Sequence, residues 1–189
     1  ALAGALVLGP RIGKYNPDGS SNPMGLHNVP LATLGTFFLW FGWFGFNGGS
    51  LLRASADIGL VITNTNMAAA AAGVSALIFN YATEKRLNAG KLFTAILAGL
   101  VAITAGSSRV TPDGAIYIGL ITGVVSILAQ DFIEKILKID DPVAAVAVHG
   151  VGGVIGTLCV APFAEKSSLL VEGSRLHQLG IQALGDVIA

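Results

Sequence analysis

The run Pro142-Val143-Ala144-Ala145-Val146-Ala147-Val148-His149-Gly150-Val151-Gly152-Gly153-Val154-Ile155-Gly156-Thr157-Leu158-Cys159-Val160-Ala161-Pro162-Phe163-Ala164 holds 23 residues without one Asp, Glu, Lys or Arg. About 20 apolar residues suffice to cross the hydrocarbon core of a bilayer, so this stretch reads as a transmembrane helix carrying a single imidazole. An imidazole at membrane depth has few uses other than a path for a polar or protonatable solute. The chain is therefore read as part of a membrane transport protein.

Four more stretches are free of charge. They are Asn28 to Leu52, Ile58 to Thr83 at 26 residues, and Leu92 to Ser108 and Gly114 to Gln130 at 17 each. The two shorter ones fit only a thin or nearly perpendicular crossing unless flanking residues snorkel. Of the 189 residues 53% are hydrophobic and 12% charged, where a soluble domain carries about 25%. Mean hydropathy is +0.72. Eleven basic residues balance eleven acidic ones, which excludes the electrostatic footprint of nucleic-acid binding. The lone Cys159 can form no internal disulfide and reads as a small packing residue.

Two apolar pieces, Ala1 to Gly9 and Leu176 to Ala189, are too short to span alone, and the second contains Asp186. The first begins with Ala and lacks the positive region of a secretory signal, so it reads as the tail of a helix begun elsewhere. Residues 1–189 are accordingly expected to be a single membrane domain and a fragment of a longer chain. Connections one, three and five hold seven Lys and Arg (Arg11, Lys14, Lys85, Arg86, Lys91, Lys135, Lys138), against four in connections two, four and six (Arg53, Arg109, Lys166, Arg175). The excess assigns the first set to the cytoplasm. The first connection, Pro10 to Pro30, is a structured loop or a flexible one.

Small residues suit close helix packing, which in lipid relies on van der Waals contact. Gly45 with Gly49, Gly152 with Gly156, and the run Ala68 to Gly73 are the candidates. Two segments rise above packing. In Phe41-Gly42-Trp43-Phe44-Gly45-Phe46-Asn47-Gly48-Gly49-Ser50, residues Trp43, Phe46, Asn47 and Ser50 recur at helical spacing and give one face two rings, an amide and a hydroxyl. Aromatics near a helix end more often form an interfacial belt. The amide and hydroxyl beside them fit a small cation such as ammonium, which ring faces attract and oxygens accept. This end faces outside by the charge count.

The second segment opens with Asp140-Asp141-Pro142. Asp141 reads as an N-cap and Pro142 as a first-turn residue, a structural pair. A continuous helix from Asp141 would set His149 roughly 12 Å further along the axis at about 1.5 Å per residue, near mid-membrane. Burial disfavours the imidazolium, so a neutral ring that both donates and accepts is expected there. No Cys, Asp, Glu or second His lies one turn away, which argues against a metal site. His27 and His177 lie in or beside connections and carry no assigned role.

Gly42-Trp43-Phe44-Gly45-Phe46-Asn47-Gly48-Gly49-Ser50, together with Asp140-Asp141-Pro142 and Val148-His149-Gly150-Val151-Gly152-Gly153, resembles the ammonium transporter family, the Amt/Mep/Rh group. Asn64-Thr65 and Leu176-His177-Gln178-Leu179 extend the resemblance over essentially the whole chain. It implies an all-α, polytopic membrane helix bundle, the second half of an eleven-helix inverted-repeat fold, from the end of the fifth helix to the start of the eleventh. It also implies a homotrimer of protomers, each with its own narrow pore. By motif position Ser50 resembles the outer vestibule serine, Phe46 one ring of a phenylalanine gate, and His149 the second of twin pore histidines. Trp43 and Asn47 are further candidates beside them.

The first twin histidine, the other gate phenylalanine, the vestibule tryptophan and an important aspartate belong to the family's first half, so this stretch alone should not conduct. The resemblance implies ammonium or ammonia as the solute, lipid around the helices, a PII-type signal protein as a cytoplasmic partner, and no cofactor. The rival readings are an ammonium sensor of the same fold and an Rh-type gas channel, with the retained Trp43, Phe46 and Ser50 favouring the ammonium transporters. An enzyme is not expected, since no second acid, base or nucleophile accompanies His149 at depth.

Overall fold

The computed structural model describes residues 1–169 and 174–188, which form a bundle of helices with no strand among them. The helices are α1 (Leu2–Leu8), α2 (Val29–Gly49), α3 (Asp57–Glu84), α4 (Ala89–Thr104), α5 (Pro112–Lys135), α6 (Val146–Phe163) and α7 (Arg175–Ile188). Four of them, α2, α3, α5 and α6, are long and apolar enough to cross a membrane. The chain is thus part of a multi-pass membrane protein, and each long helix falls on a charge-free run of the sequence.

The helix starts follow from local chemistry. Asn28, Asn88 and Thr111 each accept a hydrogen bond from an amide three residues on, satisfying a donor that the first turn leaves orphaned. Pro30 and Pro112 sit in first turns, where a missing N–H costs nothing. Helix α4 is shorter than its charge-free run, because the backbone turns after Thr104 and the Gly106 amide bonds Ile103 O. Its 16 residues reach about 24 Å, short of a full crossing.

The core is built on close backbone approach. A Cβ placed on Gly119 would overlap the Ala68 carbonyl, and one on Gly123 would overlap that of Ala72. This repeat of four residues on each side, continued by Ala76 and Ile127 in one buried cluster, lays α3 and α5 parallel in direct contact. Gly99 of α4 approaches the same Ala68 and Ala72 from another side. The Gly152–Gly156 pair does what its spacing suggests, meeting Ala98 and Ala102 of α4. The Gly45–Gly49 pair meets nothing within 4 Å among the described residues, so the close contact expected of it is not made here. Asn64, fully buried on α3, donates to both Ser107 O and Val110 O and so ties the turn after α4 to the core.

Connections one, three and five gather at one end of the bundle. The Arg11 guanidinium grips Asp140 through two bonds of 2.7 Å, Lys14 pairs with Glu134 at 2.8 Å, and Lys91 with Asp131 at 2.9 Å. The guanidinium of Arg11 holds the Asp140 carboxyl below the usual carboxylate range. The first connection is structured: Asn16, Ser20 and Asn22 bond one another, and Tyr15 donates to Glu134 O. Connections four and six meet at the opposite end, where the Glu165 amide donates to Arg109 O and Arg109 to Ser168 O, each at 3.0 Å.

Candidate functional site

Helix α6 does not start at Pro142. The Ala144 amide bonds Asp141 O across a turn with Pro142 at its second position, and Ala144 takes a left-handed conformation, φ 53°. The Asp141 carboxylate then accepts from the Val146 amide at 2.7 Å, so the capping role of Asp141 is present but serves a helix that begins later. His149 lies about one turn into that helix, and the 12 Å axial rise expected from Asp141 does not apply.

The first turn is also underwound, with one extra residue in its register. Residues Val146–Val151 are π-helical, and the Gly152 amide reaches back to Ala147 O. Such segments are rare and gather at functional sites. The His149 ring is exposed on the surface of this half, and its imidazole has no hydrogen bond to any described residue. It neither fills space between the helices described nor caps one of them.

At the other end of the bundle, Trp43 of α2 donates its indole N–H to Thr104 Oγ1 at 2.9 Å. Thr104 in turn donates to Leu100 O, which locks the indole against α4. The Phe46 ring lies 5.5 Å from that of Trp43 at 55° and is 59% exposed. Ser50 is exposed, and its hydroxyl donates to Phe46 O at 2.7 Å, leaving its lone pairs open to solvent. Asn47 departs from the expected shared face. It is 2% exposed, turned to α3 with its amide donating to Thr65 Oγ1 at 2.9 Å, and its buried Oδ1 has no partner among the described residues.

Helix α4 is the common back wall. Trp43 is anchored at Thr104, the last residue of α4, while Gly152, three residues after His149, meets Ala98 earlier in the same helix, so the two candidate groups are offset along it. The described residues do not bring them together. Thr104, unremarked in the sequence, is what fixes Trp43; no pattern marked it, because the contact joins positions 61 apart. The Thr157 hydroxyl lies 2.8 Å from the Asp186 carboxylate, which pins α6 to α7.

A family model, that of the Ammonium Transporter Family, matches residues 1–189. The ammonium transporter Amt2 of Archaeoglobus fulgidus is 41% identical over 168 residues, covering 88% of this chain and 36% of that protein. The putative ammonium transporter sll1017 of Synechocystis is 38% identical, covering all of this chain and 42% of its own length. Among solved structures, the one named "Sensor Amt Protein" superposes with a TM-score of 0.97 at 77% identity, over 99% of this chain and 46% of that one. Mep2 of Candida albicans superposes with a TM-score of 0.85 at 31% identity, over 99% and 43%. The chain spans less than half the length of each of these relatives. On the match over its full length and these likenesses, it belongs to the Ammonium Transporter Family.

Proposed function

We propose that this chain is the second half of a protein that conducts ammonium or ammonia across a membrane, with His149 lining the path. The observation that carries the reading is the exposed imidazole, without a hydrogen bond among the described residues, on a π-helical turn of an otherwise apolar helix. A ring so held would be costly unless a solute, water or the missing half meets it. Ser50 and Phe46 form the outer end in this reading, with the Ser50 lone pairs accepting from ammonium and the Phe46 ring covering the entrance. Trp43 shapes that end from its anchor on Thr104, and Asn47 belongs to the scaffold that ties α2 to α3. The hydrophobic stretch between demands that the ion shed charge, since a bare cation in hydrocarbon is far costlier than neutral ammonia. The complete protein is read as a homotrimer whose cytoplasmic end meets a PII-type signal protein.

The test is His149→Ala in the complete protein, with methylammonium uptake and ammonium-evoked current measured at matched membrane abundance. Flux should fall at least tenfold. Unchanged flux and selectivity would remove His149 from the path.

One observation favours a second reading, a sensor that binds ammonium and passes little: the 77% identity to the solved "Sensor Amt Protein" exceeds that to each transporter compared above. Vesicles holding the complete protein separate the two. Saturable ammonium binding with no sustained uptake identifies the sensor.

A further inference from the structure

Beside the π-helical turn lies a partly open cavity of about 10 Å³, lined by Gln130 and Glu134 of α5 and by Asp141, with Ile133, Ile139, Ala144 and Ala147 as its apolar walls. That volume is about one water-sized sphere. Its polar groups are mostly acceptors. The Gln130 Oε1 atom is buried and has no hydrogen-bond partner among the described residues. One Asp141 oxygen accepts from the Val146 amide, and Asp141 forms no ion pair among the described residues, Arg11 being committed to Asp140. Glu134 already pairs with Lys14. What is left over is an amide oxygen and a half-buried carboxylate, without a hydrogen-bond donor for the first or a cation for the second among the described residues, beside a space the size of one small molecule. Such a hole is stable when filled by something that donates to both groups.

We propose that this cavity is a binding site for one water-sized hydrogen-bond donor, a water molecule or an ammonium ion, held between Gln130 and Asp141 at the foot of the His149 helix. Both occupants fit the volume, and both give hydrogens to acceptors that the fold leaves unmatched. Asp141 also caps Val146, so the occupant braces the carboxylate that starts the helix. The site is separate from the outer aromatic end and does not depend on His149 conducting.

The test is crystallography of the complete protein, grown without ammonium and again with ammonium chloride, for the natural sequence and for Gln130→Met. Methionine nearly keeps the volume and removes the amide acceptor. A density peak bonded to Gln130 and Asp141 in the crystals grown without ammonium, lost in Gln130→Met, identifies a site that holds water. A peak that appears only with ammonium, and is lost in the variant, identifies the ion. An empty cavity in the natural protein under both conditions overturns the proposal, as does a peak that persists unchanged in Gln130→Met. Should the variant fail to fold, the natural protein decides alone. An occupied cavity beside an inert His149 would leave this site standing while the conduction reading fell.

Discussion

Asp140 and Asp141 are adjacent and identical in type, yet each serves a different element. Asp141 starts α6, whereas Asp140 is 5% exposed and accepts from Arg11 Nε, Arg11 Nη2 and the Arg11 amide, joining the first connection to the fifth. The Arg11 side chain is 42% exposed, so solvent screens part of the attraction. Asp140→Asn should therefore cost about 1–2 kcal/mol, below the full loss for a buried pair. The pH dependence follows from the lowered carboxyl. A group whose folded value lies below its unfolded one stabilises above the unfolded value and loses that contribution as pH falls through the folded one. The thermal midpoint of the complete protein should thus fall in Asp140→Asn at pH 7. The gap between variant and parent should begin to narrow only as the pH falls below the ordinary Asp value of about 3.9, and should close as it passes through the lower folded value, where the native carboxylate is itself protonated. An equal gap at both pH values would remove the charge from the account.

At the scale of elements, the charge-free runs located every long helix, because exclusion of charge from hydrocarbon is a property of each residue alone. What the runs do not carry is where a helix begins within them. Asp141-Pro142 has the composition of a helix start, but the turn that Pro142 opens and the left-handed Ala144 postpone it to Val146. The π-helical turn that carries His149 likewise leaves no local pattern in the sequence. Glycine spacing is legible only in part for the same reason: Gly152 and Gly156 find α4, while Gly45 and Gly49 find no described neighbour. Gly119 and Gly123, at the same spacing, make the tightest approaches of the glycines described. Whether a small residue lies at an interface is decided by its partner's backbone. Gly119→Ala would drive a methyl group into the Ala68 carbonyl, an overpacking strain of about 1–3 kcal/mol that Ile118→Val on the same helix would not impose. The denaturation midpoint in detergent should drop for Gly119→Ala by clearly more than for Ile118→Val. A smaller drop would mean that α3 and α5 part easily.

Over the whole molecule, the charge count and the contacts are independent observations that agree on alternation. The count groups connections one, three and five by their excess of Lys and Arg. The fold draws these same connections together through Arg11–Asp140, Lys14–Glu134 and Lys91–Asp131, and joins connections four and six at the other end through Arg109, Glu165 and Ser168. Alternation says that the two groups lie on opposite sides, and the positive excess says which side is cytoplasmic. Both steps can be tested with thiol labelling. Cys159 is 8% exposed, so its thiol is shielded from a bulky impermeant maleimide and contributes little background. Leu52 in connection two is 93% exposed and Leu87 in connection three is 68% exposed, so a cysteine at either position would be reachable from its own side. In intact cells producing the complete protein freed of other accessible cysteines, Leu52→Cys should label at once. Leu87→Cys should label only after the membrane is permeabilised. Labelling of both in intact cells would break the alternation itself. The reverse pattern would keep the alternation and invert the protein, moving Phe46 and Ser50 to the inner face and the foot of the His149 helix to the outer one.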